Sequence, residues 1–590
     1  MSYDILRYFH DILMFNGAPR LSNKLRKLID ILIAIVAIHI FLPQPVVADT
    51  LTPKINLQCQ QVEFPGNNEL VNFDSMREHY SLEKYRGFKI GKIYVVNLPV
   101  FNLQDPEENN AFFRFINRVH FPTRHDVIRR QLLFDEGDDI QPRVITESER
   151  LLRGNSFLSD AVVLPYQLCV DSLDVVVVVR DLWTMRPQFF ISRKGGFNKY
   201  GISLEDNNIF GSGNSMFLKY VNDRERDTKS IGFGTKHLFG TRVTLDTVYQ
   251  DATDGFSRIL NVVRPFFSLD TSRSYGINFK EKIFEESLQE LNQNIVTFDH
   301  FENEYQVFAG YSTGLIKGYT QRYIFGFKRT EDIFESSDIT ATIPNDRILA
   351  YPWLAYSINE DNIAMYKNLN VLYRTEDVPV GLGFSTLLGY ADDRFGSELS
   401  QWVFTLSLSD SPLKLSQHLL KTKFEVEGFW DRDAHDSVNT VSSFNLSYHW
   451  LKSAKQRLFV GLTYDHGKNL ASDKLLPLGG DEGLRGYPSE YLLGERRLLL
   501  NLEHRHIFDA HYLNIVRFAG VIFFDMGQTS NQSNSVASDS ELLTSTGIGV
   551  RMSSSKADIG NIVHIDLAFP LQQRDIVGDY EFRITGEATF

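Results

Sequence analysis

From Pro187 to the end of the chain, hydrophobic and polar residues alternate in short runs. The run 444–450 places Phe, Leu, Tyr and Trp on one face and Asn, Ser and His on the other, and the final run 580–590 alternates in the same way. Gly, Asn, Asp and Ser separate the runs, which is typical of antiparallel strands joined by turns. The pattern predicts a long, mainly β region with one apolar and one polar face.

Residues 86–185 have a different pattern, which predicts strand, helix, helix, strand, strand. Strands are predicted at 88–96, 157–164 and 173–179, the last a run of five valines that must be covered on both faces. Thr123 and Asp126 resemble a capping pair for the first helix. Pro142 suits the first turn of the second helix and Gly154 its end. A small βααββ domain results.

Alternation alone does not separate a membrane barrel from a soluble sandwich, because both have one apolar and one polar face. Three observations favour the barrel: aromatics such as Trp450 and Tyr464 lie at strand ends, residues 186–590 are too many for one sandwich, and the chain carries an export signal. A closed barrel also satisfies every backbone group in lipid. Between sixteen and nineteen segments are counted, and since bacterial barrels are usually even-numbered, the prediction is a transmembrane barrel of about 16 antiparallel strands.

The N-terminus has the order of a signal peptide, with basic residues between 20 and 27, an apolar stretch at 31–42 and small residues ending at Ala48. The alternative is an uncleaved anchor, but the apolar core is short for a bilayer and Pro43 and Pro45 follow it. Met14 is an alternative start. The predicted organisation is therefore a signal peptide at 1–48, an irregular segment at 49–85, the small domain at 86–185 and the barrel at 186–590.

Composition narrows the function classes. The chain has 590 residues, of which 43% are hydrophobic and 23% charged, and this composition excludes a helical membrane bundle. The net charge of -13 and the lack of a basic stripe exclude a nucleic-acid partner. Its two cysteines, Cys59 and Cys169, would meet an oxidising compartment after export and could pair. Their spacing does not show whether the two sulfurs meet, so the disulfide stays open.

Four motifs together resemble a known family. They are Leu484-Arg485-Gly486-Tyr487, Phe523-Phe524-Asp525-Met526-Gly527, the turn Asn208-Ile209-Phe210-Gly211-Ser212-Gly213, and a last strand with Tyr580, Phe582 and a terminal Phe590. In this order, after a leader and a βααββ module, they are similar to the bacterial BamA/TamA family and the two-partner-secretion transporters, whose periplasmic modules are called POTRA domains. In that family the Asn-Gly turn follows the first barrel strand.

The resemblance implies roles for these residues. Arg485 would fold inside the barrel and bind Asp525 through both prongs of its guanidinium, which lysine does not offer. Gly483 and Gly486 would let the loop turn tightly, and Tyr487 would pack its ring with a hydrated hydroxyl. Phe523 and Gly527 complete the strand motif.

At the C-terminus, Tyr580, Phe582 and Phe590 would be the signal that the barrel-assembly machinery reads during insertion of this chain. Gly586 has two interpretations: it loosens the pairing of the last strand with the first, forming a lateral seam, or it accommodates a neighbouring aromatic.

The resemblance implies an outer-membrane protein with its N-terminal domain in the periplasm. The module would capture an unfolded or partly folded protein client through a sheet edge, and the barrel would pass it into or across the outer membrane. One module stands where relatives carry several, so a passive pore or lipid conduit is the alternative. The sequence predicts no enzyme, cofactor, metal or nucleotide: His504, His506 and His564 with Asp566 lack a nucleophile motif or a complete ligand set.

Overall fold

The computed structural model describes residues 59–62, 72–194, 197–223, 225–290, 293–336, 343–370, 372, 375–530, 541–557 and 562–587. They belong to one compact unit, Gln58–Phe590. The predicted signal peptide and Phe590 lie outside these residues. None of the helices within them is long and apolar enough to cross a bilayer.

The N-terminal module is a four-stranded sheet with helices on both faces. Its elements are β1 (Gln60–Gln61), α1 (Phe73–His79), β2 (Lys89–Leu98), α2 (Ala111–Val119), α3 (His125–Arg129), α4 (Pro142–Arg153), β3 (Leu158–Leu168) and β4 (Ser172–Asp181). The strand order is β1-β3-β4-β2, with β2 parallel to β4 and the other pairs antiparallel.

The valine run of β4 explains this layering. Val175, Val177 and Val179 lie in one buried cluster with residues of α3 and α4, while Val176 and Val178 lie in a second cluster with α1. A strand that is apolar on both faces requires cover on both sides. The helices of the module supply that cover.

The module departs from the predicted βααββ order in two places. Helix α2 replaces the predicted connection after β2, because the Asn110 side chain accepts a hydrogen bond from the backbone N–H of Phe113 at 2.9 Å and starts a helical turn. The segment predicted as irregular contains α1, capped in the same way by Asn72. Thr123 does not cap α3; its hydroxyl donates to Asp181 at 2.7 Å instead.

The remaining elements follow in chain order: β5 (Met185–Lys194), β6 (Phe197–Asp206), β7 (Asn214–Asn222), β8 (Asp227–Thr235), β9 (Thr244–Ala252), β10 (Gly255–Arg264), β11 (Arg273–Glu290), β12 (Gln293–Ile316), β13 (Tyr319–Glu335), β14 (Arg347–Glu360), β15 (Ile363–Lys367), β16 (Thr375–Pro379), β17 (Gly383–Ala391), β18 (Gln401–Leu415), β19 (His418–Asp431), β20 (Asp436–Trp450), β21 (Gln456–Lys468), β22 (Leu476–Leu478), β23 (Leu492–Gly494), β24 (Arg496–Tyr512), β25 (Val516–Ser530), β26 (Leu543–Ser554), β27 (Ile562–Pro570), α5 (Arg574–Val577) and β28 (Glu581–Glu587). Five short 3₁₀ turns lie at 83–85, 209–211, 238–240, 393–395 and 472–474.

Twenty of these strands form one large antiparallel sheet in the described part of the chain, and β28 returns to pair with β5, so that the strand order closes. The hairpins β15–β16 and β22–β23 stand outside it. The mainly β prediction is confirmed, but the predicted number of about 16 strands is wrong. Strands β5 to β10 have only nine or ten residues each, and short turns such as 253–254 join some of them. Two neighbouring strands therefore look like one alternating run in the sequence and are counted once.

The large sheet exposes its apolar face. Outward residues on six different strands are largely exposed: Ile277, Val307, Phe325, Leu354, Ile522 and Ile548. On β28 the polar Glu581, Arg583 and Thr585 are buried instead. A soluble sandwich buries its apolar face in a core, so this arrangement contradicts the sandwich alternative. It also fits a barrel wall with a polar interior.

The module lies against one rim of the large sheet. The Asn208 side chain donates to the Thr123 hydroxyl at 2.7 Å, and the backbone N–H of Leu269 donates to Glu147 at 2.7 Å. Lys556 binds Glu108 at 2.5 Å. These sheet residues lie in turns after β6, β10 and β26, which all end at the same rim because the strands alternate in direction. We call it the module-side rim.

Two details of this rim matter below. The Asn-Gly turn follows β6, the second strand of the sheet and not the first as expected; Gly211 has φ +70°, and an added Cβ would lie 2.1 Å from the Pro122 carbonyl oxygen. In the β15–β16 hairpin, Asp377 accepts two hydrogen bonds from Arg153 of α4, at 2.9 and 3.0 Å. This pair attaches the module to the hairpin.

Candidate functional site: the arginine loop

The loop 479–491 lies on the inner, polar face of the large sheet, against strands β24 to β28. The strands β22 and β23 on either side of it pair and form its neck. Within the loop, the N–H of Leu484 donates to the carbonyl of Gly479 at 2.8 Å, and that of Gly480 to the carbonyl of Pro488 at 2.9 Å. These bonds fold the glycine-rich sequence into a compact turn, which presents Arg485 to the strands.

Arg485 binds two carboxylates. Its Nε and Nη2 donate to the two oxygens of Asp525, both at 2.7 Å, and its Nη1 donates to Glu503 at 2.6 Å. The guanidinium carbon lies 3.6 Å from the centre of the Phe523 ring, so the flat face of the cation stacks on an aromatic face. The structure thus brings together the three residues predicted from the two motifs, and it adds Glu503.

The charges around Arg485 balance. Asp525 is fully buried and also accepts a hydrogen bond from the Asn501 side chain at 2.7 Å. Glu503 accepts a second bond from Arg505 at 2.8 Å, and Arg551 binds Asp566 at 2.5 Å. Three arginines therefore face three carboxylates. Burial alone would lower the pKa of the Arg485 guanidinium, but Asp525 and Glu503 raise it above its ordinary value, so the group stays charged.

Gly486 connects the loop to the last strand. Its N–H donates to Glu581 of β28 at 2.8 Å, and Arg583 of the same strand donates to the carbonyl of Gly480 at 2.9 Å. Gly486 has φ +93°, which side-chain-bearing residues rarely adopt, and an added Cβ would lie 3.3 Å from the nitrogen of Pro570. The glycine is required here by both its backbone angle and its close approach to the wall.

Tyr487 is buried, ring and hydroxyl alike. Its hydroxyl donates to the Thr544 carbonyl at 2.9 Å and lies beside Gln572, so the expectation of a hydrated hydroxyl is wrong. The reason is depth: the ring packs in an apolar cluster with Leu478, Leu484 and Tyr491, where a phenol needs a protein acceptor. Tyr491 likewise bonds Gln573.

Comparisons with known proteins give sequence relatives of one name. No family model matches the chain. It is 22% identical over 268 residues to the outer membrane protein assembly factor BamA of Buchnera aphidicola, which covers 44% of this chain and 41% of that protein. It is 25% identical over 127 residues to the BamA of Neorickettsia risticii, covering 21% of this chain and 17% of the relative. The chain spans less than half the length of these curated relatives.

A similar solved structure is BamA from Haemophilus ducreyi lacking POTRA domains 1–3, with a TM-score of 0.37, 13% identity and 85% of each chain covered. The two sequence relatives share the name that the loop and strand motifs indicate. Over the matched segments the chain is similar in sequence to BamA.

In this chain the strand motif packs closely around the loop. Phe523 is buried beneath Arg485, and an added Cβ on Gly547 of the next strand would meet its ring at 2.3 Å. Gly527 faces Leu478 of the loop neck, where an added Cβ would lie 3.1 Å away. Small residues on the wall therefore leave room for the phenylalanine and the neck.

Of the three residues predicted as the C-terminal assembly signal, the two that the structure describes point outward. Tyr580, just before β28, and Phe582 on β28 are exposed, whereas Phe590 lies outside the described residues. Gly586 stands opposite Val563 of β27 and is exposed. One residue pair, Ile584 with Arg193, joins β28 to β5 among the described residues, against seven pairs between β27 and β28. Whether Gly586 weakens the seam stays a prediction.

The two cysteines are bonded to each other. The Cys59–Cys169 disulfide joins residues 110 apart in sequence and holds β1 against the end of β3, where Gln60 pairs with Leu168. The bridge lies within the module side of the chain and does not contact the arginine loop.

Among the partners of the loop that the sequence analysis missed are four inward side chains of the wall: Asn501, Glu503, Glu581 and Arg583. All four lie on strands β24 and β28 and point inward. A signal was available, because Asn501 and Glu503 share parity on an otherwise leucine-rich strand, and a polar pair of the same parity indicates the inner face. Which loop residue they bind depends on contacts between distant segments, which no local pattern contains.

Proposed function

We propose that this chain is a bacterial outer-membrane barrel with its module in the periplasm, and that it assists the insertion of protein clients into the outer membrane or their passage across it. The proposal rests above all on the arginine loop, which is bonded to the wall beside the strand that closes the sheet. The names of the sequence relatives, assembly factors for outer-membrane proteins, support the same function. The exposed apolar face of the large sheet supports a lipid environment.

In this proposal the client strand enters between β28 and β5. Strand β28 is the last strand of the sheet and pairs with β5, the first, at Ile584 and Arg193. Opening this pairing breaks backbone hydrogen bonds between the two strands. The exposed backbone edges could then pair with an incoming strand.

The module would receive the client first, at the edge of β3. Among the described residues, β1 and Val62 cover that edge from Leu168 to Tyr166. Further along, the N–H of Val163 donates to the Glu149 carboxylate at 2.7 Å, and the carbonyl of Ala161 accepts from Arg153 at 3.4 Å. Side chains can swing away and leave these backbone groups for a client strand, which is how β-augmentation works.

The first experiment is quantitative mass spectrometry of outer-membrane and culture-medium proteins from cells with and without the chain, complemented by wild type or Arg485→Ala. We expect a small set of proteins to disappear and to return only with wild type. An unchanged inventory would contradict client handling and favour a passive pore or lipid conduit. Catalysis and cofactor chemistry have no place in this proposal, and the outward Phe582 would serve recognition by the barrel-assembly machinery when this chain itself is inserted.

The second experiment locks the seam. Paired substitutions Arg193→Cys and Ile584→Cys stand opposite each other and should form a disulfide that blocks client assembly until it is reduced. The matched control is Val248→Cys with Ile259→Cys, which stand opposite each other between β9 and β10. The reductant also opens the native disulfide Cys59–Cys169. Because this happens in the control protein too, the control separates that effect from the opening of the engineered disulfide. Normal client assembly by the protein with the disulfide between positions 193 and 584 would contradict the seam proposal.

A further inference from the structure

A cavity of about 460 Å³ lies between the module and the module-side rim. Helix α4 and Gln131 form its module side, and the turn 236–243, the loop 265–272 and strand β13 form the other side. Among the described residues, five basic and no acidic ones line it: Arg150, Lys236, His237, Arg242 and Arg322. Four of the five are Lys or Arg, in a chain where Asp and Glu (74) outnumber Lys and Arg (61), so this composition requires an explanation.

Three of these cations have no carboxylate partner within the described structure. Lys236 donates to the side-chain oxygen of Asn155 at 3.0 Å, and Arg242 donates to the carbonyl of Leu132 at 2.7 Å. Arg322 has a buried Nε without a hydrogen-bond partner, and so does Arg264 at the end of β10. Neutral acceptors satisfy hydrogen bonds but do not neutralise charge, so several cations share a partly buried space without a carboxylate bound to them.

Two nearby carboxylates do not balance this charge. Glu147 binds Arg143 at 3.3 Å and Arg150 at 3.2 Å, and accepts the N–H of Leu269, so its oxygens are already engaged. Asp246 acts on Lys236 and Glu147 acts on Arg322 only through space, without a hydrogen bond to either cation. Burial together with the charges of Arg242, Arg130 and Lys236 lowers the pKa of His237 to about 4, which reflects a positive local potential.

The rest of the cavity wall is apolar. Pro265, Phe266, Phe267 and Leu269 of the loop line it together with Leu151 of α4. The Arg242 guanidinium lies 4.4 Å from the centre of the Phe267 ring, and that of Arg322 lies 4.9 Å from the Phe266 ring. Stacking fixes the plane of a guanidinium and leaves its edge, which carries the N–H donors, free to point at a ligand.

We propose that this cavity binds a phosphate group, supplied by a phospholipid headgroup or by free phosphate. Buried cations without a counter-ion are costly, and a phosphate would neutralise them through charge-assisted hydrogen bonds. The apolar wall beside the cations suits the glycerol and first acyl carbons of a lipid. Because the ligand would touch α4 and the rim turns together, its binding would strengthen the attachment of the module to the rim. This inference stands independently of client handling.

The test measures binding by isothermal titration calorimetry on the full, delipidated chain in a neutral detergent. The probes are dihexanoyl phosphatidylglycerol, dihexanoyl phosphatidylcholine and inorganic phosphate. We expect saturable binding of a phosphate-bearing probe, weakened about tenfold or more by Arg322→Gln or Lys236→Gln. The control Lys229→Gln removes the same charge from an exposed position on β8 and should leave binding unchanged. Competition separates the sources: a lipid that phosphate does not displace indicates a headgroup site, and equal binding of phosphate alone indicates a free anion.

A second measurement covers the case in which a variant binds poorly because it is damaged. Without ligand, Arg322→Gln should unfold at the same or a higher temperature than wild type, since it removes an uncompensated charge. With phosphatidylglycerol, only wild type and Lys229→Gln should gain thermal stability. The proposal is overturned if no phosphate-bearing probe binds, or if all variants bind equally.

Discussion

An arginine bound to an aspartate by two hydrogen bonds occurs at two joints of the molecule, and the surroundings of the two pairs differ. Inside the sheet, Arg485 holds Asp525 by two bonds of 2.7 Å; beneath it, Arg153 holds Asp377 by bonds of 2.9 and 3.0 Å. The first pair adds a third bond to Glu503 and an aromatic face under the cation. The second joins the module to a two-stranded hairpin, and the Asp377 side chain is 17% exposed.

The difference shows that surroundings, and not the bonded pair, decide how firmly a joint is held. Removing one partner of a buried, hydrogen-bonded pair leaves a charge stranded without water, which costs about 3–5 kcal/mol. At the edge of the module, water can reach the remaining carboxylate, so the same deletion should cost less. We therefore interpret the inner joint as the firmer of the two and the outer joint as the one that is released more easily.

The largest effect is expected for Arg485→Ala. It leaves Asp525 and Glu503 facing each other in a buried site, so the loop should leave the wall at a cost of about 3–5 kcal/mol. Client assembly should fall more than the amount of folded barrel in the membrane, which heat-modifiable electrophoresis and quantitative mass spectrometry would measure. If the variant assembles clients as well as the wild type does, the loop has no functional role in assembly.

The structure predicts that a charge swap would not restore the wild-type arrangement. Combining Arg485→Asp with Asp525→Arg would place the new loop carboxylate beside Glu503, so the swap should restore little. The informative background is Asp525→Asn with Glu503→Gln, in which Arg485→Ala should cost less than it does in wild type because no carboxylate is stranded. Equal costs in both backgrounds would show that the ion pairs are unimportant.

The pH dependence should separate the two joints next. Burial raises the pKa of Glu149, beside Arg153, to about 7, against an ordinary value of 4.5. A carboxyl whose folded pKa is raised stabilises the folded state below its unfolded pKa, and that stability is lost as pH rises through the folded pKa. The module should therefore lose about 2–3 kcal/mol between pH 4.5 and 7.

Amide hydrogen exchange at Val163, which donates to Glu149, measures this loss, with correction for the intrinsic pH dependence of exchange. The Glu149→Gln variant should remove the slope between pH 4.5 and 7. A slope that persists in this variant would assign the effect to another group.

A smaller effect is expected for Arg153→Ala, which should cost about 1–3 kcal/mol because its partner stays partly hydrated. Exchange protection should fall in the β15–β16 hairpin and remain unchanged in the arginine loop. Lys229→Gln, on an exposed part of β8, serves as the surface control. Equal losses at both joints would break the distinction drawn here.

The smallest effect is expected for Tyr487→Phe, at about 1 kcal/mol. The ring keeps its apolar cluster, and the hydrogen bonds of the hydroxyl with the Thr544 carbonyl and with Gln572 are lost. Thermal unfolding of the purified barrel would measure the change. A loss as large as that of Arg485→Ala would mean that the hydroxyl, and not the arginine, is the main attachment of the loop.

The two joints also show what the sequence could and could not predict. The pairing of Arg485 with Asp525 was predicted because each lies in a short motif of the family that the sequence resembles, and the resemblance implies that the two residues bind each other. Arg153 and Asp377 are 224 residues apart, and neither lies in a motif, so their pairing follows only from the docking of the module. The alternating strands were read correctly in parity, because burial imposes a period of two. Their number was wrong, because short strands with tight turns merge into one run.

The two bonds between the loop and β28 have a thermodynamic consequence. Since Gly486 binds Glu581 and Gly480 binds Arg583, displacing β28 must either break these bonds or carry the loop with it. Loop release and seam opening then share one linked equilibrium, and linkage is reciprocal. Any molecule that binds the open seam must weaken the hold on the loop by the same free energy with which loosening the loop favours that binding.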